Sequence, residues 1–327
     1  MHYLVTGGAG YIGSHICLRL TELGHSVTVL DDFSSGHRWA VTGHEVIEAD
    51  LRDLQQLRRL LSGRDFDGVF HFAAKSLVGE SGKKPVYYFQ NNVSGTANLL
   101  EVALEQGWRD CVFSSTAAVY GNPTTETIAE TQPLKPINVY GQTKRVMEEL
   151  LSAVHAQGNC NAACLRYFNA AGAAPEQGLG EWHEPETHLI PNILRRAAGE
   201  DLALTIFGDD YPTPDGTCIR DYIHVLDLAD AHIKAMELLH QQGGFYRLNL
   251  GNGRGYSVRE VLGACEQAVG TPIAHTVGAP RPGDPVRLVA DATQAGEVLD
   301  WQPVRDLQAI VESAWAWEQQ RRTMAQV

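Results

Sequence analysis

The sequence predicts an α/β fold in which a doubly wound parallel sheet carries a smaller mixed α/β lobe. Two observations predict it. Short β-branched runs alternate with longer helix-patterned stretches through the first half of the chain, which is the rhythm of repeated βαβ units. A glycine-rich turn, Thr6 to Gly13, then joins the first of those runs to the first helical stretch. At 327 residues and 44% hydrophobic the chain is long enough for one large domain or two fused ones.

In order along the chain, HYLVT reads as a strand followed by a helix from Ser14 to Leu23, and SVTVL as a strand closed by a turn. GVFHFA precedes a helical pattern from Tyr88 to Gln106, and CVFSS one from Thr143 to His155. A further strand spans Ala162 to Arg166, after which Gly, Pro, Glu and His dominate through Pro185. This shift places a lobe boundary near Phe168, giving a nucleotide-binding lobe over 1–168 and a second lobe over 169–327, parts of which can return to the first. The second lobe carries an amphipathic stretch from Leu189 to Ala198, a Gly/Asp/Pro loop from Gly208 to Gly216 and a helical pattern from Leu226 to His240.

Composition excludes several classes. Lys and Arg number 26 against 39 Asp and Glu, a net charge of −13 with no basic cluster, so nucleic acid is not an expected partner. MHYLVTGGAG lacks a basic leader and cleavage site, and no apolar run approaches the ~20 residues that span a bilayer. The expectation is a cytoplasmic protein with no membrane partner. Six scattered cysteines form no CxxC pair and have no histidine at ligand spacing beside them. They predict buried reduced thiols and no metal.

The turn TGGAGYIG holds two overlapping glycine rhythms, Gly8-Gly10-Gly13 and Gly7-Gly10-Gly13. After a strand and before a helix, glycines let backbone amides and a helix N-terminus approach a pyrophosphate. Asp31 and Asp32 follow about twenty residues on, where a carboxylate accepts ribose hydroxyls and repels a 2′-phosphate, so NAD is favoured over NADP. Asp50-Leu51 is positioned for the adenine, Phe72-Ala73-Ala74 offers small side chains to line the cofactor, and Asn91 is expected to cap or brace a helix beside it.

In NVYGQTK, Tyr140 and Lys144 stand four residues apart and share a helix face. A neighbouring ammonium and a positive nicotinamide both favour phenolate, predicting a tyrosine pKa drawn from ~10 toward neutral and a usable general base. Lys144 is also placed to hold the nicotinamide ribose, and Ser114, Ser115 or Thr116 at the end of CVFSST to hydrogen-bond the reacting substrate oxygen.

Taken with HFAAKSLVGES, NNVSGT, FSSTAAVYG, LRYFNAAGA, IFGDDYPTPDGTCIRDYIHVLDLADAH, LNLGNG and PRPGDP, these motifs span nearly the whole chain. The sequence resembles the extended short-chain dehydrogenase/reductase superfamily and, within it, the UDP-glucose (UDP-galactose) 4-epimerases. The resemblance implies transient oxidation at the sugar C4, rotation of the 4-keto sugar and reduction on its other face, with Tyr140 as base, Lys144 as its modulator and Thr116 relaying the proton. It implies an NAD site of Gly7, Gly10, Tyr11, Ile12, Gly13, Asp31, Asp32, Phe33, Ser34, Ser35, Gly36, Asp50, Leu51, Phe72, Ala73, Ala74, Asn91, Ser114, Tyr140, Lys144 and Phe168. It implies a UDP-sugar site of Thr116, Tyr140, Asn169, His188, Leu189, Thr205, Ile206, Phe207, Arg220, Tyr222, Arg281, Asp284 and Leu288, with the two arginines as forked donors to the diphosphate. Outside the resemblance, Arg220 reads as an ion-pair partner of Asp221 and His188 as a capping or packing histidine.

Departures from the family pattern are Ala74-Lys75-Ser76 where many members carry Gly-Leu-Lys, His188 where some carry Asn, and Leu288 where some carry Tyr. The last opens the alternative of N-acetylated UDP-sugars, and a UDP-pentose or uronate is a further one. Thr116 is followed by Ala117-Ala118, not the Asp-Glu pair of the related dehydratases, which argues against dehydration. A dinucleotide-sensing regulator has no need of Tyr140 and Lys144. The resemblance also implies a homodimer through helices around Asn92 to Gln106 and Thr143 to His155.

Overall fold

The computed structural model describes residues 1–281 and 284–324. The first lobe begins with β1 (His2–Thr6), α1 (Tyr11–Glu22), β2 (Ser26–Asp31), β3 (Glu45–Glu48), α2 (Leu54–Leu61) and β4 (Gly68–His71). It continues with α3 (Val78–Lys83), α4 (Pro85–Tyr88), a π-helical turn over Phe89–Ser94, α5 (Gly95–Gln106), β5 (Asp110–Thr116), α6 (Val139–Ala156) and β6 (Asn161–Tyr167). Then follow β7 (Asn169–Ala171), α7 (Leu189–Ala197), β8 (Thr205–Phe207), β9 (Ile219–His224), α8 (Val225–Gln242) and β10 (Phe245–Leu250). The chain ends with β11 (Gly255–Ser257), α9 (Val258–Val269), β12 (Thr276–Gly278), β13 (Arg287–Leu288), α10 (Thr293–Leu299) and α11 (Leu307–Met324).

Seven strands form a parallel sheet in the order β10-β6-β5-β4-β1-β2-β3. Both faces are covered, which explains strands that are apolar at successive positions. Tyr3, Val5, Val27 and Val29 point into the cluster under α1 and α8, whereas Leu4 and Leu30 point into the one under α2 and α5. Alternation within β5 and β6 likewise sends Val112, Ala163 and Leu165 to the α8 side and Phe113, Ala162 and Cys164 against Met147 and Leu151 of α6. All six cysteines are free and buried.

The first lobe is built from two stretches of chain. The division at Phe168 follows the end of β6, but α8 packs on α1 and β10 pairs along β6, so Val225–Leu250 runs back into the large sheet. The second lobe keeps its own core, where Ile190, Ile193 and Leu194 of α7 meet Val261 and Cys265 of α9 and Ile310 and Val311 of α11. Before Phe168 the structure adds β3, α2 and the broken α3–α4 segment to the elements the sequence rhythm named, and it starts α1 at Tyr11 instead of Ser14. β3 and α2 are short, four and eight residues, too brief for a period to stand out. Among the described residues no helix is long and apolar enough to cross a membrane.

One ionic network lies inside this core. Arg166 on β6 pairs with Glu148 on α6 at 2.6 Å, both side chains 1% exposed, and its other nitrogen donates to Tyr120 Oη at 2.9 Å. Removing one member of such a pair strands a buried charge. We predict that Arg166→Met lowers unfolding free energy by about 3–5 kcal/mol in urea titrations, and that adding Glu148→Leu restores most of it.

Candidate active site

The chain order reverses between β1 and β4, and at such a switch point the C-terminal strand ends open a crevice. A cleft of about 1300 Å³ runs from there to the second lobe, larger than the ~300–1,000 Å³ of a single small-molecule site. Its dimensions suit a dinucleotide and a second ligand together.

Gly7, Gly10 and Gly13 line its first end, and Gly8 does not. Gly7 has φ +70°, and a Cβ there would lie 2.6 Å from Ala73 N. A Cβ on Gly13 would lie 2.2 Å from the Gly7 carbonyl, so the first turn of α1 can close on the loop only without a side chain. Gly8 instead backs onto Val29. Of the two rhythms in TGGAGYIG, the geometry selects the one beginning at Gly7.

Asp31, at the end of β2, is buried on the cleft wall and accepts from Ala9 N at 3.0 Å and Phe33 N at 2.8 Å. Each oxygen keeps a lone pair for a ligand, and burial raises its pKa against the pull of those amides. Tyr11, Ile12, Asp32, Ser34, Ser35, Gly36, Asp50, Leu51, Phe72, Ala73 and Ala74 share this end. Phe33 is a correction: it has φ 54° and turns away from the cleft beneath the Arg38 guanidinium, 4.1 Å from its ring centroid. Lys75, displaced by one position from the family pattern, lines the cleft and donates to Ser34 Oγ at 2.5 Å.

Asn91 also faces the cleft, but the brace expected of it belongs to Asn92. Fully buried in the π-helical turn, Asn92 donates to the Lys75 carbonyl and to Thr143 Oγ1, each at 3.0 Å, and accepts from Lys75 N at 2.8 Å. A π turn slips the register so that Asn92, not Asn91, points inward, and sequence spacing contains no sign of that slip.

The floor is formed by β5 and α6. Asn138 caps α6 by accepting from Gly141 N at 2.8 Å, and Gly141 lets the helix press on the end of β5, since a Cβ there would meet the Ala118 carbonyl at 2.5 Å. Ser114, Thr116, Tyr140, Lys144 and Phe168 all line the cleft. The Tyr140 phenol lies close enough to the Thr116 side chain for it to lower the phenol's pKa. Lys144 is 2% exposed, donates from Nζ to the Ser114 carbonyl at 2.6 Å and lies 6.0 Å from the Tyr140 ring centroid. Ser115 is turned beneath the sheet end, where it donates to Glu148, and so leaves the reacting-oxygen role to its neighbours.

Without the positive nicotinamide that the expectation includes, burial dominates the electrostatics of the pair. Burial pushes the Tyr140 phenol up to about 12, with the Thr116 side chain opposing. Burial likewise pushes Lys144 down to about 7, with Glu148 opposing. In the protein alone, burial disfavours the phenolate and weakens the ammonium, while the Ser114 carbonyl accepts from Nζ and favours its charged form.

Toward the second lobe, Arg220 pairs with Asp284 at 2.5 Å, not with Asp221. Asp221 is fully buried, accepts backbone N–H bonds from Asn252, Gly253 and Ala290, and is raised by burial to about 7. The Arg281 guanidinium stacks 4.1 Å over the Phe207 ring. Asn169, Leu189, Thr205, Ile206, Tyr222 and Leu288 complete this end. His188 precedes α7 and turns its ring toward Glu181 and Glu186 without capping the helix.

A glycine corner under a parallel sheet and a Tyr-x-x-x-Lys helix facing a serine-threonine strand end define a nucleotide-dependent enzyme of the short-chain dehydrogenase/reductase kind. The chain belongs to the NAD dependent epimerase/dehydratase family, whose model matches residues 3–251. A UDP-glucose 4-epimerase of Halalkalibacterium halodurans is 48% identical over 321 residues, 98% of this chain and 96% of that one. The crystal structure of UDP-glucose 4-epimerase from Brucella ovis in complex with NAD superposes with a TM-score of 0.93 at 43% identity, over 96% of this chain and 97% of that one. That of the Bifidobacterium longum enzyme in complex with NAD+ and UDP also gives 0.93, at 36% identity and over 98% and 99% of the two chains.

The buried ammonium has a consequence for stability. The unfolded chain protonates Lys144 near 10.5 and the folded chain only near 7, so stability is highest above that window and is lost as pH falls through it. In protein freed of nucleotides, we predict that the urea midpoint of wild type falls relative to that of Lys144→Met between pH 10 and 7, the comparison cancelling the opposite contribution of the buried thiols. Parallel profiles for the two proteins would refute the assignment.

Proposed function

We propose that this chain interconverts UDP-glucose and UDP-galactose as an NAD-dependent 4-epimerase. The observation that carries the reading is one cleft that joins the glycine corner to Arg220 and Arg281 with Thr116, Tyr140 and Lys144 between them. NAD fits the first end, because Gly7, Gly10 and Gly13 line it without side chains, the first turn of α1 closes on the loop there, and Asp31 keeps lone pairs toward it. When bound there, NAD supplies a reversible acceptor for the hydrogen on the sugar C4 and a positive charge beside Tyr140.

In this reading the chain's residues hold the substrate and move one proton. Arg220 and Arg281 supply forked donors to the diphosphate of an anionic substrate despite the net charge of −13. Tyr140 Oη takes the proton of the 4-hydroxyl and returns it, and Thr116, beside that phenol on the cleft wall, holds the same oxygen. Lys144 fixes the nicotinamide ribose and stabilises the phenolate once it forms. Leu288 and Phe168, packed with Ala117 and Val119, give an apolar wall that leaves the keto sugar free to turn. The alanines after Thr116 provide no acid–base pair for elimination, which favours epimerisation over dehydration.

Purified protein should convert UDP-galactose to UDP-glucose without added NAD. Tyr140→Phe is expected to keep the fold and bound NAD while kcat drops by about 10²–10⁴-fold. Near-normal kcat in that variant would overturn the role of Tyr140, and no conversion by NAD-loaded wild type would overturn the function.

We further propose a cytoplasmic homodimer formed through α5 and α6. The apolar side chains Val86, Phe89 and Leu104 on and just before α5 support it, at 69%, 37% and 38% exposure. The six buried free thiols support a reducing compartment. Size-exclusion runs at several concentrations should give twice the chain mass, and Leu104→Asp should shift elution toward the monomer. A wild-type monomer at every concentration would sink the proposal.

A further inference from the structure

The sequence holds a motif that neither the glycine corner nor the reaction centre uses: Glu181, His183, Glu186 and His188, in EWHEPETH. The loop leading into α7 folds so that one ligand atom from each residue lies within 4.8 Å of the others. We propose that these four side chains form a site for a divalent first-row cation, Zn²⁺ best matching its donors, on the wall of the cleft.

Three of the spacings approach those of a tetrahedral ion, and the direct His188–Glu181 contact must open for both to ligate it. Zn²⁺ with imidazole and carboxylate ligands at ~2.0–2.2 Å has donor–donor edges of roughly 3.3–3.6 Å. His183 Nδ1 lies 3.2 Å from Glu181 Oε1 and 3.7 Å from Glu186 Oε2. His188 Nδ1 contacts Glu181 and lies 3.6 Å from Glu186 Oε1. Both histidines therefore turn the same ring nitrogen inward, toward both carboxylates. Two imidazoles and two carboxylates suit Zn²⁺ among biological cations, whereas Ca²⁺ and Mg²⁺ call for all-oxygen sets. The four groups also balance the charge, since two carboxylates neutralise one divalent ion once the imidazoles are neutral.

A second observation points to a missing partner. The Glu186 side chain is 2% exposed, yet its Oε2 accepts no hydrogen bond. A buried carboxylate oxygen left in that condition is costly. The Arg195 guanidinium is 3.6 Å from this oxygen and donates to the His183 carbonyl at 3.3 Å, so it sits behind the cluster and opposes a cation at longer range. The outer groups are fixed as metal sites require: the Glu181 carbonyl accepts from Trp317 Nε1 at 2.9 Å, and the His183 ring meets the Tyr11 ring edge-on at 6.4 Å between centroids.

An ion here would link Glu181 to His188 and fix the segment that delivers Leu189 and α7 to the cleft. Its action is structural, and none of the steps assigned to Tyr140 passes through it.

The test uses the full-length chain, stripped with a chelator and titrated with Zn²⁺ and separately with Co²⁺. We expect about one Zn²⁺ retained per chain after gel filtration, a rise in Tm on adding metal, and visible Co²⁺ bands of a tetrahedral site without thiolate charge transfer. Glu186→Gln and His183→Gln should each lose the retained metal and the Tm rise while keeping the far-UV spectrum of wild type. Stripped wild type that retains no Zn²⁺ and shows no Tm change would overturn the proposal, as would wild-type metal content in both variants or a Co²⁺ spectrum with thiolate bands. Because wild-type binding is itself decisive, a variant that fails to fold leaves the test intact.

Discussion

The buried pairing of Arg166 with Glu148 is the constraint on which the reaction centre depends. Charges are removed from water only at a large cost, and the cost is recovered only when every donor and acceptor is satisfied. Here Glu148 takes two nitrogens of Arg166 and the Ser115 hydroxyl, Arg166 adds the Tyr120 hydroxyl, and Tyr120 passes a bond to Asn249. Asn249 in turn donates to the Ile128 carbonyl. This chain ties α6, β5, β6 and β10 into one unit. Tyr140 and Lys144 lie two turns and one turn before Glu148 on the same helix, so their height above the strand ends is inherited from it.

The glycine corner is set by a different force, steric exclusion. Gly7, Gly13 and Gly36 each stand where a Cβ would strike backbone or Ala9 within 2.2–2.8 Å, and Asp31 holds the same corner by two of its amides. Backbone N–H groups are thereby kept at the start of α1, where a helix N-terminus attracts phosphate. Between the two ends of the cleft, burial works against the charged forms of Tyr140 and Lys144. A charged ligand acts strongly on groups so placed, because little water screens it.

Much of this was legible along the chain because it rests on local pattern. TGGAGYIG, Asp31, the end of CVFSST and NVYGQTK each sit at the junction of a strand or loop with a helix, and junctions are fixed by sequence-local chemistry. What escaped depended on contacts between distant segments. Asn92 was hidden behind Asn91 by a π turn, Ser115 is occupied by Glu148 on another element, and Arg220 finds Asp284 sixty-four residues away instead of its neighbour Asp221. The tyrosine's pKa followed the same course. Helical spacing places Lys144 on its face, but only the packed strand β5 offers the Ser114 carbonyl that draws the ammonium aside.

The sequence alone determined the parallel sheet, the glycine corner and the tyrosine–lysine helix, because periodicity, missing Cβ atoms and four-residue spacing act within one or two turns of chain. Tertiary structure decided which of two glycine rhythms faces the cleft, which asparagine braces it, and that Val225–Leu250 returns to the first lobe. It also decided the burial that shifts Tyr140 and Lys144 and the meeting of Glu181, His183, Glu186 and His188. These outcomes depend on burial and on neighbours brought from elsewhere in the chain, and a linear pattern encodes neither directly.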